Sequence, residues 1–145
     1  MLSEMKIILC DLDGTLCDHT HRIHHAWCGD FNSYFAAIEH DDVNKDVFNF
    51  ITINRNNKII FLTGRPEKCR DVTERWIRDH IVVDDYELIM RADDDFRKAP
   101  IFKREQVEKI IDAHGLKKIF RAIDDDMSCC DMYEMLGIKT LRYRG

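Results

Sequence analysis

Proline and glycine are scarce: the 145 residues include two prolines, Pro66 and Pro100, and six glycines. No Pro/Gly/Ser-rich stretch is available as a linker, and there is no low-complexity tract and no internal repeat. One domain over residues 1–145 follows, long enough to bury a real core. No apolar run approaches the roughly 20 residues needed to span a bilayer. The N-terminal MLSEMKIILC is too short an apolar run for a leader and meets Asp11 at once. Six cysteines are present, but none forms a C-x-x-C pair. Without a leader they read as reduced thiols in an intracellular, cytoplasmic chain. Positive charge is in deficit, with 22 Lys and Arg against 27 Asp and Glu and a net charge of -5. That excludes a general pull on polyanions, so any nucleic-acid contact must rest on a local basic patch.

What is present is an alternation of short apolar runs with helical patterns. Lys6–Cys10, Lys58–Leu62, Glu87–Met90, Ile119–Ile123 and Lys139–Tyr143 read as strands. Helices are predicted over Asp30–His40, with an Asp N-cap, and over Val43–Ile53. A further helix opens at Pro66, where proline has no amide to waste, and runs to about His80. Another runs from near Pro100 to Gly115, a good residue just beyond a helix C-terminus. A last one follows the fourth strand and ends at Gly137. The alternation predicts an α/β fold: a Rossmann-like open parallel sheet with helices on both faces.

Ligands of such sheets bind at the carboxyl ends of the strands, near a topological switch point. Those ends carry Asp11-Leu12-Asp13, Thr63-Gly64-Arg65 and Asp124-Asp125-Asp126. Carboxylates two apart on extended backbone project to one side, and two held together repel unless a cation or a shared proton relieves them. An oxygen-rich, thiolate-free site of this kind suits Mg²⁺. One carboxylate can then attack phosphorus while the other handles protons. Thr63 and the amides near Gly64 offer donors to phosphoryl oxygens, and Arg22, Arg65 and Lys98 offer charge. A lone D-x-D is usually a solvated turn; D-x-D-G-T directly after an apolar strand is far more specific.

Asp11-Leu12-Asp13-Gly14-Thr15-Leu16, Leu62-Thr63-Gly64-Arg65 and Ile123-Asp124-Asp125 resemble the first, second and fourth motifs of the haloacid dehalogenase-like superfamily. Within it, the chain is similar to the phosphatase domain of bacteriophage polynucleotide kinase–phosphatase. Arg22, the run Arg70-x-x-Thr73-x-x-Trp76 and Arg97-Lys98 extend that likeness. The resemblance implies a phosphomonoesterase working through an aspartyl-phosphate, acting on a polynucleotide 3′ end or a nucleotide. Asp11 is then nucleophile and metal ligand, and Asp13 is general acid–base and metal ligand through its carbonyl. Thr63 and Lys98 hold the phosphoryl oxygens, with Lys103 in the following turns as the alternative lysine. Arg22 and Arg65 engage substrate, Asp125 completes the Mg²⁺ set, and Asp124 assists it or orients Lys98. The short stretches between motifs imply no cap or a minimal one.

No G-x-x-x-x-G-K-[ST] occurs, so the resemblance implies a phosphatase without the kinase half, with kinase or ligase activity on a separate partner. Asp126 stands where the phage domain is basic, making the rim more acidic. The His19–His25 run between Cys17 and Cys28 matches no standard zinc spacing and reads as a polar loop over the site. Cys129-Cys130 read as packing residues. Competing readings are a small-metabolite or 5′-nucleotide phosphatase of the same fold, and a non-catalytic Mg²⁺/phosphate-binding module. Dehalogenation fits less well, since it needs neither Mg²⁺ nor a proton-handling Asp13.

Overall fold

The computed structural model describes residues 4–145; residues 1–3, the start of the run weighed above as a leader, lie outside it. Its centre is a five-stranded, all-parallel sheet. The strands are β1 (Ile7–Cys10), β4 (Lys58–Pro66), β5 (Asp85–Arg91), β6 (Ile119–Asp124) and β7 (Thr140–Arg142). They lie side by side in the order β5-β4-β1-β6-β7. All four residues of β1 are buried, as expected for a central strand covered on both faces. Its alternate side chains enter two separate cores. Ile8 and Cys10 join Ile59, Phe61, Trp76 and Ile77 on one face, where α3 (Lys45–Ile53) and α4 (Arg70–His80) lie. Ile7 and Leu9 join Ile60, Leu62, Phe102, Val107 and Tyr133 on the other, beneath α5 (Ala99–His114) and α6 (Met127–Met135). From β1 the chain leaves to β4 and β5 on one side, then returns to β6 and β7 on the other. The switch point therefore falls at the end of β1.

Between β1 and β4 sits a small cover built from residues 17–43. A short antiparallel pair, β2 (Cys17–Asp18) with β3 (Asp42–Val43), brackets two helices, α1 (Ile23–Trp27) and α2 (Phe31–Ala36). The histidine run expected as a loop thus becomes partly helical in α1. The helix predicted from Asp30 does begin there, with the Asp30 carboxylate accepting from the Ser33 amide. It ends at Ala36, and a 3-10 turn over Ile38–His40 follows.

One element departs from expectation in a way that matters for the site. Pro66 ends a strand (ψ 154°) instead of opening a helix, and the α-helix begins only at Arg70 after a 3-10 turn. The β4–β5 register shifts between Leu62 and Pro66. This irregularity turns Thr63, Gly64 and Arg65 out of the plain ladder, a usual device beside active sites.

Candidate active site

Three carboxylates meet at the switch point. Asp11 follows β1, and its amide donates to the Ile123 carbonyl at 3.0 Å, which fixes it against β6. Asp124 ends β6 and Asp125 follows. One oxygen from each of the three lies within 4.8 Å of the others. The Thr15 hydroxyl bridges Asp11 Oδ2 and Asp125 Oδ1, at 3.0 Å from each. Among the described residues a single lysine faces them: Lys103 Nζ donates to Asp124 Oδ2 at 2.7 Å and to Asp11 Oδ1 at 3.0 Å.

This overturns the assignment of Lys98. Lys98 is exposed at the N-cap of α5, whereas Lys103 lies a turn further in and is buried. The helical phase decides the matter, because Phe102, Lys103, Val107 and Ile110 form the face turned to the sheet. Asp124 accordingly orients Lys103, and Lys98 has no part in the cluster. Burial alone would push the Lys103 ammonium down; Asp11 and Asp124 more than offset it and keep it charged.

One cation against three carboxylates, two buried and Asp125 half-buried, leaves negative charge uncompensated. Burial raises Asp11 to about 6, with the Asp125 charge adding to the rise against Lys103. Burial and then the Asp11 charge raise Asp124 to about 7, and burial raises Asp125 as well. An all-oxygen, thiolate-free trio still demanding positive charge is the donor set a hard divalent cation satisfies. The residues present therefore fit Mg²⁺.

Asp13 is set apart from this trio. Its carboxylate receives Arg65 Nε at 3.2 Å and Nη2 at 2.7 Å, and also Arg22 Nη2. Burial would raise it, but Arg65 and then Arg22 prevail and hold it well below the usual carboxylate range. Both arginines expected to engage substrate are buried and ion-paired within the fold, and Arg65 also lines the cleft. Arg22 also clamps Asp41, with Nε to Oδ1 at 2.8 Å and Nη2 to Oδ2 at 2.6 Å. Arg65 Nη1 donates to Thr73 Oγ1 at 3.0 Å. Asp41, 28 residues beyond Asp13, gave no signal in the sequence that it would join this network.

Thr63 is buried and lines the cleft, where its hydroxyl accepts the Arg65 amide at 3.1 Å. The cleft is small, about 240 Å³, and is lined by Asp11, Asp13, Thr63 and Lys103 with His19 and Tyr34 of the cover. Gly14 turns the chain here with φ +77°. A Cβ on it would stand 2.6 Å from Asp125 Oδ2 and 2.9 Å from His19 Nε2. Asp126, expected to acidify the rim, is spent as the N-cap of α6, its carboxylate accepting the Cys129 amide at 3.0 Å. All six cysteines are free, and five are buried, Cys129 and Cys130 among them.

A buried aspartate beside a lysine and two further acids, at the switch point of a parallel sheet, is the arrangement of a haloacid dehalogenase-like phosphatase. Comparison with known proteins narrows the class. The family of the polynucleotide kinase PNKP phosphatase domain matches residues 5–144, and the chain belongs to it. A protein of Autographa californica nuclear polyhedrosis virus, described as a bifunctional polynucleotide kinase/RNA ligase, is 29% identical over 139 residues, or 94% of this chain and 19% of that protein. A chain of the Pnkp1/Rnl/Hen1 RNA repair complex superposes with a TM-score of 0.72 at 25% identity, over 96% of this chain and 42% of that one. The chain thus spans about a fifth of the viral relative and under half of the repair-complex chain. A HAD-family enzyme of Bacteroides thetaiotaomicron, in complex with magnesium and inorganic phosphate, shares the fold with a TM-score of 0.54 at 13% identity; the match spans 97% of this chain and 95% of that one.

Proposed function

We propose that residues 1–145 form a single Mg²⁺-dependent phosphatase domain that removes the 3′-phosphate from a polynucleotide end through an aspartyl-phosphate at Asp11. The observation that carries this is the Asp11–Lys103–Asp124–Asp125 cluster in a family member whose cover is small enough to admit a chain end. Asp11, Asp124 and Asp125, with the Asp13 carbonyl, would hold the ion. Bound there, Mg²⁺ neutralises the trio and screens the incoming phosphate.

A carboxylate oxygen of Asp11 bonds to phosphorus as the bond to the 3′ oxygen breaks. Lys103 and Thr63 donate to the phosphoryl oxygens as charge builds on them. Asp13 gives the leaving oxygen its proton, then takes one from the water that attacks phosphorus and frees Asp11. Since Arg22 and Arg65 keep Asp13 ionised at rest, its first proton comes with the monoanionic form of the phosphate. The arginines therefore position Asp13 and set its charge. The viral and repair-complex relatives favour a kinase and a ligase, on the same or another chain, as its working partners.

The test is phosphate release with Mg²⁺ from a 3′-phosphorylated oligonucleotide, a 3′-mononucleotide and a 5′-mononucleotide, for the native protein and Asp11→Asn. Preference for the 3′-phosphates, abolished in the variant, is expected. Release mainly from the 5′-nucleotide would move the substrate to small metabolites, and release from none would leave a binding module.

A further inference from the structure

Beside the catalytic cleft lies a second and larger hollow of about 680 Å³. His19 and Asp125 line both, so the two hollows adjoin. On the function proposed above a terminal phosphoryl group would occupy the first; the second is in the size range of pockets that take a nucleotide-sized ligand.

Arg142, the last residue of β7, and Tyr143 and Arg144 beyond it line this hollow. The Tyr143 amide donates to the Asp124 carbonyl at 2.9 Å, which ties this wall to the strand that carries the metal-site acids. The Tyr143 ring is half-buried against the core. Both arginines are exposed. Among the described residues, neither has a carboxylate partner; Arg142 makes one bond, from Nε to the Asp125 carbonyl at 3.3 Å, and Arg144 none. Arg22, Arg65, Arg70, Arg97 and Arg104 are ion-paired, whereas Arg55, Arg75, Arg78, Arg91 and Arg121 share the lack of a carboxylate partner; Arg142 and Arg144 are set apart by their place in this lining. Of the two acids in this lining, Asp125 belongs to the trio described above, and Asp18 is spent on the amide and hydroxyl of Thr20, at 3.0 and 2.7 Å.

Two uncommitted guanidinium groups beside a cleft lined by carboxylates fit one ligand chemistry, a phosphodiester backbone, because planar forked donors match phosphate oxygens. The His19 ring, which lines both hollows, is held by Nδ1 on the Tyr34 hydroxyl at 2.8 Å, with Nε2 toward Gly14 in the lining of the larger one. The sugar between the two phosphates would cross there.

Resting on the function proposed above, we infer that this hollow seats the nucleotide preceding the phosphorylated end, with Arg142 and Arg144 on the adjoining phosphodiester. The consequence is a length preference: a 3′-phosphorylated oligonucleotide is used at least about tenfold better, in kcat/KM, than a 3′-mononucleotide. The experiment compares these two substrates in the native protein, in R142A/R144A and in the charge-preserving R142K/R144K. It also follows, by fluorescence anisotropy in D11N, the salt dependence of oligonucleotide binding with and without the arginines. Expected are loss of the length preference in the alanine pair, its partial retention in the lysine pair, and a salt slope shallower by about 0.7 for each phosphate no longer neutralised. A preference or slope indifferent to both substitutions overturns the subsite alone. Turnover of a 5′-mononucleotide with neither 3′-phosphate used overturns the underlying substrate reading, and this inference with it.

Discussion

Lys103 shows how much a single side chain can settle. Among the described residues it is the one cation touching both the prospective nucleophile and an acid of the metal set, whereas Lys98 stands in solvent at the same helix's start. Lys103→Ala is expected to lower kcat by about a hundredfold or more, as for loss of a preorganised donor at a developing oxyanion. Lys98→Ala should cost less than about fivefold, the scale of an exposed charge. Steady-state kinetics on a 3′-phosphorylated substrate separate the two, and equal losses would refute the assignment. The sequence did hold a clue. Lys103 occupies the apolar stripe of Phe102, Val107 and Ile110, and a charge on a core-facing stripe needs a buried partner. Asp11 and Asp13 were legible because their pattern is local. Asp41 was not, since its partnership with Arg22 depends on how the cover folds back.

At the level of elements, that buried network binds parts of the fold distant in sequence. Asp13 follows β1, Arg22 and Asp41 belong to the cover, and Arg65 comes from the irregular end of β4. From α4, Thr73 meets Arg65, and Trp76 Nε1 donates to the Asp41 carbonyl at 2.9 Å. Removing the Asp41 carboxylate strands the Arg22 guanidinium in a dry interior. Asp41→Ala is expected to lose about 3 kcal/mol of stability, the usual cost of breaking a buried ion pair, as read by urea denaturation. A loss under about 1 kcal/mol would mean that water or Asp13 takes over the vacated donors. The strands were readable from their apolar runs, because a sheet covered on both faces needs continuous hydrophobic stretches. The end of β4 was not. Proline is acceptable both at a strand terminus and in a first helical turn, and only pairing with β5 selects between them.

For the whole molecule, the acid cluster sets the pH response. Asp11 and Asp124 bind protons more readily folded than unfolded, with values near 6 and 7 against an ordinary value of about 3.9. Their contribution to stability without metal is thus complete below about pH 4 and is lost as pH rises through 6 and 7. Asp13 works oppositely, stabilising above its ordinary range and losing that only in strong acid. Mg²⁺ should therefore raise Tm more at pH 8 than at pH 5, where it competes with protons for the same oxygens. Thermal melts across that range with and without Mg²⁺ check this, and a pH-independent increment would place the ion elsewhere.

Gly14 carries a consequence for how this protein can change over time. Its left-handed backbone penalises every other residue, and its missing Cβ keeps Asp125 and His19 in place. The two constraints have different origins, one in the chain's own torsion and one in its neighbours. Trimming a neighbour to make room would sacrifice an acid of the cluster or the histidine that lines both hollows, and would leave the torsional cost untouched. Among the described residues position 14 thus has no neighbour whose change would relieve it, so exposed surface can vary while this residue stays closed to variation.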